Sequence, residues 1–233
     1  MKVVILAGGK GTRLRPYTIA MPKPLVPVGD YPIMEILIRQ LAKYGFKRVI
    51  ITVNHQADLI KTYFGNGEKW GIQIEYSLET KPLGTMGPLK LIDNLPDNFI
   101  ITNGDILTDL DFGKFYENHV KNNRIFTISG YNRKHKVDYG VLHTDDAGVL
   151  NGFEEKPELD YTVSMGIYAA SKEIVQYIPE DTYYGFDSLM MQLIGMQKKV
   201  AVDKFNGYWL DIGRPEDYQT ATERFEEEKE KFL

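Results

Sequence analysis

Short, continuously apolar runs rich in β-branched residues recur along the chain and constrain its fold more than any other feature. They span residues 3–7, 49–53, 72–76, 99–102, 125–129 and 200–205. Strands that are apolar on both faces are typical of parallel sheets that helices cover on each side. The runs therefore predict the strands of a largely parallel sheet.

Helical patterns lie between these runs. Met34, Leu37, Ile38 and Leu41 follow the i, i+3, i+4, i+7 spacing of one helix face, and Gly45 stands where such a helix should end. Further helices are predicted at residues 56–64, 85–93 and 112–122. Because strands and helices alternate, we predict an α/β fold with a doubly wound, mostly parallel sheet.

The second half of the chain departs from this alternation. Residues 139–141 and 149–153 flank the turn sequence Asp-Asp-Ala-Gly and predict a β-hairpin, and residues 163–169 predict another strand. From Pro215 onward the sequence predicts a helix whose Glu and Lys residues form a solvated face. Neither a repeat nor a linker interrupts the chain, so we predict a single domain with an inserted hairpin region.

Composition excludes several classes of protein. The 28 Lys and Arg residues are balanced by 32 Asp and Glu residues, which argues against nucleic acid or an anionic membrane as a partner. The chain has no cysteine, so disulfides and thiolate metal sites are excluded, and a cytoplasmic location is expected. Too few apolar residues follow Met1 for a signal peptide, and no run is long enough to span a bilayer.

A glycine-rich loop follows the first predicted strand. Gly8, Gly9 and Gly11 allow backbone N–H groups to approach a ligand closely, and successive N–H groups form a concave anion site. Arg13 and Arg15 add cations, and Lys23 adds another between two prolines. Since parallel α/β sheets bind ligands at the carboxyl ends of their strands, the loop is interpreted as a cradle for a polyphosphate.

Two common phosphate-binding motifs do not match this loop. A P-loop requires Lys and then Ser or Thr after its last glycine, whereas Thr12 and Arg13 follow Gly11 here. The dinucleotide fingerprint requires a different glycine spacing and a later acidic residue, which the chain lacks. Neither a P-loop ATPase nor a Rossmann dehydrogenase is therefore indicated.

The segment LAGGKGTRLRPYTIAMPKPLVPVGDYPI, residues 6–33, closely resembles the opening signature of the sugar-1-phosphate nucleotidylyltransferases. The resemblance implies a Rossmann-like nucleotidyltransferase fold in which this loop wraps the triphosphate of an NTP. It also implies that Arg13 stabilises the transferring phosphate and that Lys23 contacts phosphate, which makes these two residues the candidate catalytic groups.

Two aspartates resemble the metal-binding positions of that family. Asp105 lies in FIITNGDIL, just past a predicted buried strand, and Asp211 lies in GYWLDIGRPEDY. Carboxylate oxygens are the ligands that Mg²⁺ prefers, and Mg²⁺ keeps several waters. The resemblance therefore implies that Asp105 and Asp211 hold Mg²⁺ as the cofactor.

Three further segments resemble the part of the family that binds the sugar phosphate. GFEEKP implies that Glu155 and Lys156 contact the sugar and its phosphate, VDYGVLHTD places Gly140 at the sugar-facing turn, and VSMGIYAA places Ser164 and Gly166 on the strand that closes over the sugar. Many relatives carry Asn-Ala-Gly or Asn-Gly-Gly where this chain has Ser-Met-Gly. That departure leaves the identity of the sugar open.

The base pocket is predicted in ETKPLGTMGPLKLI, residues 79–92, where Gly84 and Gly87 would lie against a flat purine and Thr85 would cap the following helix. The run resembles mannose-1-phosphate and heptose-1-phosphate guanylyltransferases more than the thymidylyl or uridylyl branches. With the glycine loop, the predicted nucleotide-binding residues are Leu6, Ala7, Gly8, Gly9, Gly11, Thr12, Arg13, Glu79, Pro82, Gly84 and Thr85.

The resemblance implies direct in-line nucleotidyl transfer from an NTP, with GTP favoured, to a sugar-1-phosphate, with mannose or manno-heptose favoured. Residues 1–130 would bind mainly the nucleotide, residues 131–214 the sugar phosphate, and residues 215–233 would form the C-terminal helix. The family also suggests a homodimer. Thymidylyl, uridylyl, cytidylyl or adenylyl transfer to glucose-1-phosphate remains an alternative.

Two other classes of function compete. Asp109 and Asp111 form the D-x-D pattern with which nucleotide-sugar glycosyltransferases hold Mn²⁺, although those enzymes lack the glycine-rich opening seen here. A non-catalytic nucleotide-sugar sensor would be favoured by loss of Arg13, Lys23 or a metal aspartate, and the chain retains them all. The scattered histidines are interpreted as structural or surface residues; they are His55, His119, His135 and His143.

Overall fold

The computed structural model describes residues 1–233. The strands are β1 Lys2–Leu6, β2 Pro27–Val28, β3 Tyr31–Pro32, β4 Arg48–Val53, β5 Gln73–Leu78, β6 Asn98–Asn103, β7 Ile106–Thr108, β8 Phe126–Lys136, β9 Val141–Thr144, β10 Leu150–Glu154, β11 Glu158–Ser171, β12 Val200–Phe205 and β13 Trp209–Asp211. The α-helices are α1 Ile33–Lys43, α2 Ala57–Phe64, α3 Phe112–Lys121, α4 Phe186–Gly195, α5 Pro215–Glu227 and α6 Lys229–Phe232. None of these helices combines the length and the hydropathy that crossing a bilayer requires.

The centre of the fold is a seven-stranded sheet with the strand order β12-β8-β11-β6-β1-β4-β5. β1 lies between β4 and β6 and pairs with both in parallel. β11 is the exception, since it runs antiparallel to β6 and to β8. The predicted α/β class and mostly parallel sheet are confirmed.

Apolar side chains cover both faces of this sheet, as the continuous runs predicted. On one face Val3 and Ile5 of β1 pack with the helix residues Met34 and Phe112, and on the other Val4 packs in a second cluster that includes α4. A third cluster joins α1 to the C-terminal helices through residues such as Phe225. The two large clusters fix β1 in the middle of the molecule and so fix the loop that follows it.

β8 and β11 continue beyond the sheet as a long antiparallel ladder, with Lys136 opposite Glu158 at its far end. The predicted hairpin joins them as β9 and β10, which pair antiparallel to each other. β8 runs in the same direction as β12 and β1, and its C-terminal part forms the ladder. The ladder and the hairpin therefore project from the edge of the sheet where the parallel strands have their carboxyl ends. We call residues 131–163 the arm.

Two sequence predictions of helices need correction, and one helix was missed. The helix predicted at residues 85–93 is only a 3₁₀ helix at Gly87–Leu91 with Pro88 in its first turn. The C-terminal helix breaks at Glu228 into α5 and α6. α4 was not predicted, although its buried Leu189 and Leu193 follow an i, i+4 spacing that was the available signal.

Candidate active site

A cleft of about 430 Å³ opens beside the carboxyl ends of β1 and β6. All eleven residues predicted to bind the nucleotide line it, together with Lys23 and Asp105. The other lining residues are Pro24, Thr52, Leu83, Asn103, Gly104, Tyr183 and Gly213. Its position at the carboxyl edge of the sheet follows the general rule for ligand sites in open α/β folds.

The glycine loop forms one wall of the cleft, and its three glycines differ in what a side chain at each position would contact. Gly11 has a φ of 61°, and a Cβ there would lie 3.0 Å from the side chain of Thr18 and 3.2 Å from that of Lys23. A Cβ at Gly8 would lie 2.6 Å from a carboxylate oxygen of Glu79, whereas one at Gly9 would meet no atom within 4 Å. The loop therefore packs tightly at two points and leaves its middle open to a ligand.

Lys23 lies between the two predicted metal ligands. Its Nζ forms an ion pair with Asp105 and lies 4.0 Å from Oδ1 of Asp211. Pairing of β7 with β13 brings the two aspartates together, because Ile106 is the partner of Asp211 and the Ile212 amide donates to the Asp105 carbonyl at 3.1 Å. Residues more than a hundred positions apart thus lie side by side: Asp105 lines the cleft, and Asp211 adjoins it without being part of the lining.

The electrostatics of this corner favour an added cation. The Oδ1 atom of Asp105 is buried and has no hydrogen-bond partner. Burial and the charge of Asp105 raise the pKa of the Asp211 carboxyl, against the opposing charges of Lys23 and Arg13. No third carboxylate or imidazole joins the two aspartates in a metal-binding cluster. Carboxylate oxygens are the ligands that Mg²⁺ prefers, so the chemistry of these two aspartates would fit that ion.

Glu79 supplies a buried carboxylate deeper in the cleft, with a residual exposure of 7%. The Leu83 amide donates to its Oε2 at 3.4 Å, and the Asn54 side chain fixes its backbone carbonyl at 3.1 Å. Burial raises the pKa of the Glu79 carboxyl, and the Leu83 hydrogen bond partly opposes that shift. Such a group can accept N–H donors from the edge of a ligand.

The structure gives the glycines at positions 84 and 87 a packing role in addition to the predicted one, which stays a prediction. Gly84 has a φ of 79°, and a Cβ there would lie 2.7 Å from the carbonyl oxygen of Tyr184. A Cβ at Gly87 would lie 2.9 Å from the Cβ of Leu83 and 3.1 Å from the carbonyl oxygen of Thr182. Both glycines therefore admit a crossing chain segment on their Cβ side, and Gly84 also lines the cleft.

The predicted cap at Thr85 is real but serves another helix. Its Oγ1 accepts a hydrogen bond from the Phe186 amide at 2.7 Å, at the first residue of α4. The expectation that Thr85 caps the helix directly after it was wrong. Sequence reasoning assigned the cap locally, and the tertiary fold supplied a different helix end.

Two of the residues predicted to bind the sugar phosphate adjoin the cleft. Gly166 has a φ of 73°, and a Cβ there would lie 2.5 Å from the amide nitrogen of Asn103, which lines the cleft. Its N–H lies 3.2 Å from Oγ of Ser164, at an irregularity in the pairing of β11 with β8. Trp209 holds this bulge by donating to the Met165 carbonyl at 2.9 Å.

The other three residues predicted to bind the sugar phosphate lie on the arm and do not line the cleft. A Cβ at Gly140 would lie 3.2 Å from Oε2 of Glu155, so these two residues are neighbours. Lys156 has a backbone φ of 46°, a left-handed conformation that is uncommon for residues other than glycine. The structure thus groups Gly140, Glu155 and Lys156 with one another at the root of the hairpin.

The D-x-D pattern has structural roles. Asp109 accepts a hydrogen bond from the Tyr208 amide at 2.7 Å, and Asp111 caps α3 by accepting from the Lys114 amide at 2.9 Å. Neither residue lines the cleft. The structure therefore gives no support to the glycosyltransferase alternative.

His119 is a buried structural residue, as predicted. Its ring nitrogens lie 2.8 Å from Oγ1 of Thr127 and 3.2 Å from Oδ1 of Asn98. Burial lowers the pKa of His119 to about 4, so the ring is neutral at physiological pH.

Sequence reasoning missed Asn103 and Tyr183. Asn103 ends β6 two residues before Asp105, so its place at a strand end was an available signal. Tyr183 lies in the loop before α4 and carried no such signal, because only the tertiary fold brings that loop to the cleft.

The model of a protein family described as "Nucleotidyl transferase" matches residues 2–228. Among curated proteins, a UTP–glucose-1-phosphate uridylyltransferase from Synechocystis is 35% identical over 95% of this chain and 62% of its own length. A mannose-1-phosphate guanyltransferase from Yarrowia lipolytica is 35% identical over 95% of this chain and 63% of its own. The chain thus spans less than two thirds of these two relatives.

A third relative matches along nearly its whole length. It is a D-glycero-alpha-D-manno-heptose 1-phosphate guanylyltransferase from Aneurinibacillus thermoaerophilus, 32% identical over 95% of this chain and 96% of its own. Among solved structures, HddC from Yersinia pseudotuberculosis complexed with GMP-PN has a TM-score of 0.73 and 31% identity, over 96% of this chain and 99% of that one. The similarity in sequence and the similarity in structure each cover nearly the whole chain.

Proposed function

The chain belongs to the nucleotidyl transferase family, and on that basis we propose that it transfers the nucleotidyl group of an NTP, GTP by preference, to a sugar-1-phosphate. Mannose-1-phosphate and manno-heptose-1-phosphate are the proposed acceptors, since guanylyltransferases for both sugars are among the relatives. The observation that carries the proposal is one cleft in which the glycine loop, Arg13, Lys23 and Asp105 converge.

The proposed chemistry is a single in-line displacement. A phosphate oxygen of the sugar-1-phosphate forms a bond to the α-phosphorus of the NTP, the bond from that phosphorus to the bridging oxygen breaks, and pyrophosphate leaves. The glycine loop offers N–H groups to the triphosphate, and Arg13 offers its guanidinium to charge that develops at the α-phosphate. Positioning and electrostatic stabilisation are enough for such a transfer.

Asp105 and Asp211 are the residues that would hold Mg²⁺, which would neutralise phosphate charge when bound. Between these two carboxylates, Lys23 offsets their mutual repulsion in the free protein. We propose that the Lys23 ammonium moves to a phosphate oxygen once the negatively charged substrate binds. The two prolines beside Lys23 restrict its backbone, so this movement involves the side chain alone.

Asp105→Asn is expected to raise the Mg²⁺ concentration for half-maximal activity by about tenfold or more. Loss of a group that only orients a metal ligand typically lowers metal affinity by about 10- to 100-fold, and loss of the ligand itself should lower it at least as much. Activity is measured across a Mg²⁺ titration at saturating substrates. Asp109→Asn is the matched control, because Asp109 does not line the cleft. An unchanged Mg²⁺ dependence in the Asp105 variant would rule out this role.

Glu79 is the proposed determinant of base choice. A guanine presents two adjacent N–H donors on its Watson–Crick edge, and a carboxylate accepts both, whereas a glutamine accepts one and opposes the other. Glu79→Gln is expected to raise KM for GTP by about 10- to 100-fold, in line with the 1–3 kcal/mol that a good bidentate pair contributes to discrimination. KM for GTP and for UTP is measured for both proteins, and an unchanged ratio would refute the assignment.

The pH dependence gives a second readout of the same group. Burial raises the pKa of Glu79, so its carboxylate gains a proton at a higher pH than an exposed glutamate does. KM for GTP should therefore rise as the pH falls through that raised pKa, and Glu79→Gln should abolish this dependence. A wild-type KM that stays flat across the acid range would contradict it.

The acceptor half of the site is proposed to combine Ser164 and Gly166 beside the cleft with Gly140, Glu155 and Lys156 on the arm. This arrangement assigns residues 1–130 mainly to the nucleotide and residues 131–214 mainly to the sugar phosphate. We also propose a homodimer and a cytoplasmic location, which sedimentation equilibrium and cell fractionation test directly.

The function as a whole is tested by pyrophosphate release with Mg²⁺ across a grid of NTPs and sugar-1-phosphates. Release with GTP and a mannose or manno-heptose phosphate is the expected result. Release with UTP and glucose-1-phosphate would instead favour the second candidate, which the Synechocystis relative supports. If no pair reacts while the protein still binds NTP, a sensor function replaces the proposed activity.

A further inference from the structure

Tyr183 is a large aromatic residue at the rim of the cleft that the proposed mechanism leaves without a role. It lines the cleft beside Leu83, Gly84 and Thr85, and 71% of its surface is exposed. Its ring therefore faces space that a ligand of the cleft would share.

The backbone that follows Tyr183 is fixed against the base-pocket segment. The Tyr184 amide donates to the Leu83 carbonyl at 2.9 Å. The Tyr184 carbonyl in turn accepts from the amides of Met86 and Gly87 at 3.0 and 3.1 Å. Tyr183 is thus carried on a loop with a defined position relative to residues 83–87.

Further contacts anchor this loop on both sides. On the far side, the Phe186 amide donates to Thr85, and the Phe186 ring stacks on Tyr168 of β11 with 4.7 Å between the ring centroids. On the near side, Lys81 forms an ion pair with Asp181 at 2.7 Å. The loop that carries the exposed ring is therefore tied to the base-pocket segment and to β11.

Nucleobases bind well to such a platform. Every base has a π face, and stacking on an exposed aromatic side chain contributes affinity without dependence on the base edge. The two fused rings of a purine offer a larger stacking area than the single ring of a pyrimidine. Glu79 lies in the same cleft and can accept hydrogen bonds from the edge of the base. The face of the base is then available to Tyr183.

We infer that Tyr183 stacks on the base of the bound NTP and contributes to a preference for purines, with Glu79 pairing to the edge. This inference rests on the proposed function, since it assumes that an NTP occupies the cleft. Tyr183 is then a binding residue for the nucleotide, and the phosphate-directed groups Arg13 and Lys23 act independently of it.

Binding is measured by calorimetry with GTP and with inorganic tripolyphosphate, a probe that lacks a base. Tyr183→Ala is expected to weaken GTP binding by about 10- to 100-fold, as stacking losses on alanine substitution typically do. Its affinity for tripolyphosphate should match that of the wild type. Tyr183→Phe keeps the ring and should bind GTP like the wild type.

Steady-state kinetics provides an independent readout. Tyr183→Ala should raise KM for GTP with little change in kcat, because stacking acts equally in the ground state and the transition state. Met191→Ala is the control, since Met191 is also 71% exposed but lies on α4 away from the cleft lining. It should change neither parameter.

Two results would overturn the inference in distinguishable ways. If the wild type binds GTP and Tyr183→Ala binds it equally well, the stacking role is wrong and the proposed function stands. If the wild type binds neither GTP nor tripolyphosphate, the proposed function fails and the stacking role falls with it. Equal weakening of both probes in Tyr183→Ala would show a distorted cleft and would also refute stacking.

Discussion

Arg13→Ala is expected to lower kcat by about 10²- to 10³-fold, the usual cost of removing one preorganised donor to charge that develops in a transition state. Arg13 lines the cleft, and its positive charge acts on the carboxyl of Asp211 at the same corner. Its side chain is exposed and lies outside the three apolar clusters, so the variant should fold normally. Initial rates of pyrophosphate release at saturating substrates measure the effect.

Arg15→Ala is the matched control for this prediction. Arg15 lies two positions further along the same segment, is exposed, and does not line the cleft. Its loss removes the same net charge from the loop and should leave kcat within about a few-fold of the wild type, because exposed charges are well screened. If both variants lost activity equally, the effect would be one of general charge, and the specific role of Arg13 would be wrong.

Glu35→Ala is expected to destabilise the protein by about 1–3 kcal/mol, the cost of leaving hydrogen-bond donors without their buried acceptor. Glu35 on α1 is only 1% exposed, and its carboxylate accepts two hydrogen bonds from Arg39, at 2.9 and 2.6 Å. Tyr63 and Trp70 also donate to it, at 2.5 and 3.2 Å. Removal of the Glu35 carboxylate leaves these donors without a partner. The midpoint of urea unfolding, at constant m, measures the loss.

Glu75→Ala is the control, since the Arg48–Glu75 pair joins two exposed side chains at 2.7 Å. Exposed pairs contribute about 0–1 kcal/mol, so this variant should unfold close to the wild-type midpoint. A Glu35 variant no less stable than the Glu75 variant would show that the buried network adds nothing to stability.

The acid stability of the protein tests the same network. Burial alone would raise the pKa of the Glu35 carboxyl, but hydrogen bonds from Tyr63, Arg39 and Trp70 bring it below its ordinary value. A carboxyl with a lowered folded pKa contributes stability above its unfolded pKa and loses it as the pH falls through the folded one. Unfolding free energies measured down through the acid range should fall less steeply for Glu35→Gln than for the wild type.

The sequence determined the α/β class, the central strands and the glycine loop because these features are local. Continuous apolar runs specify strands buried on both faces, and the burial of Val3, Val4 and Ile5 of β1 confirms that reading. Strand β1 and the loop after it are adjacent in the chain. The first wall of the cleft could therefore be predicted from one short segment.

Motif resemblance extended the prediction to residues far apart in sequence, but only the structure shows how they meet. The strand pair β7 and β13 places Asp105 beside Asp211, with the ammonium of Lys23 between them. Periodicity carries no information about such a contact, because the two short strands pair only after the sheet and the C-terminal segment have packed. The ion pair at Lys23 was not predicted for that reason.

The tertiary structure alone decided the second wall of the cleft. The sequence predicted that Gly84 and Gly87 lie against a base, and the structure shows in addition that the loop before α4 packs on the Cβ side of both and carries Tyr183 to the rim. A glycine in a sequence indicates that something approaches closely but does not identify what approaches. That identity depends on which distant segment the fold brings alongside, which no local pattern of side chains encodes.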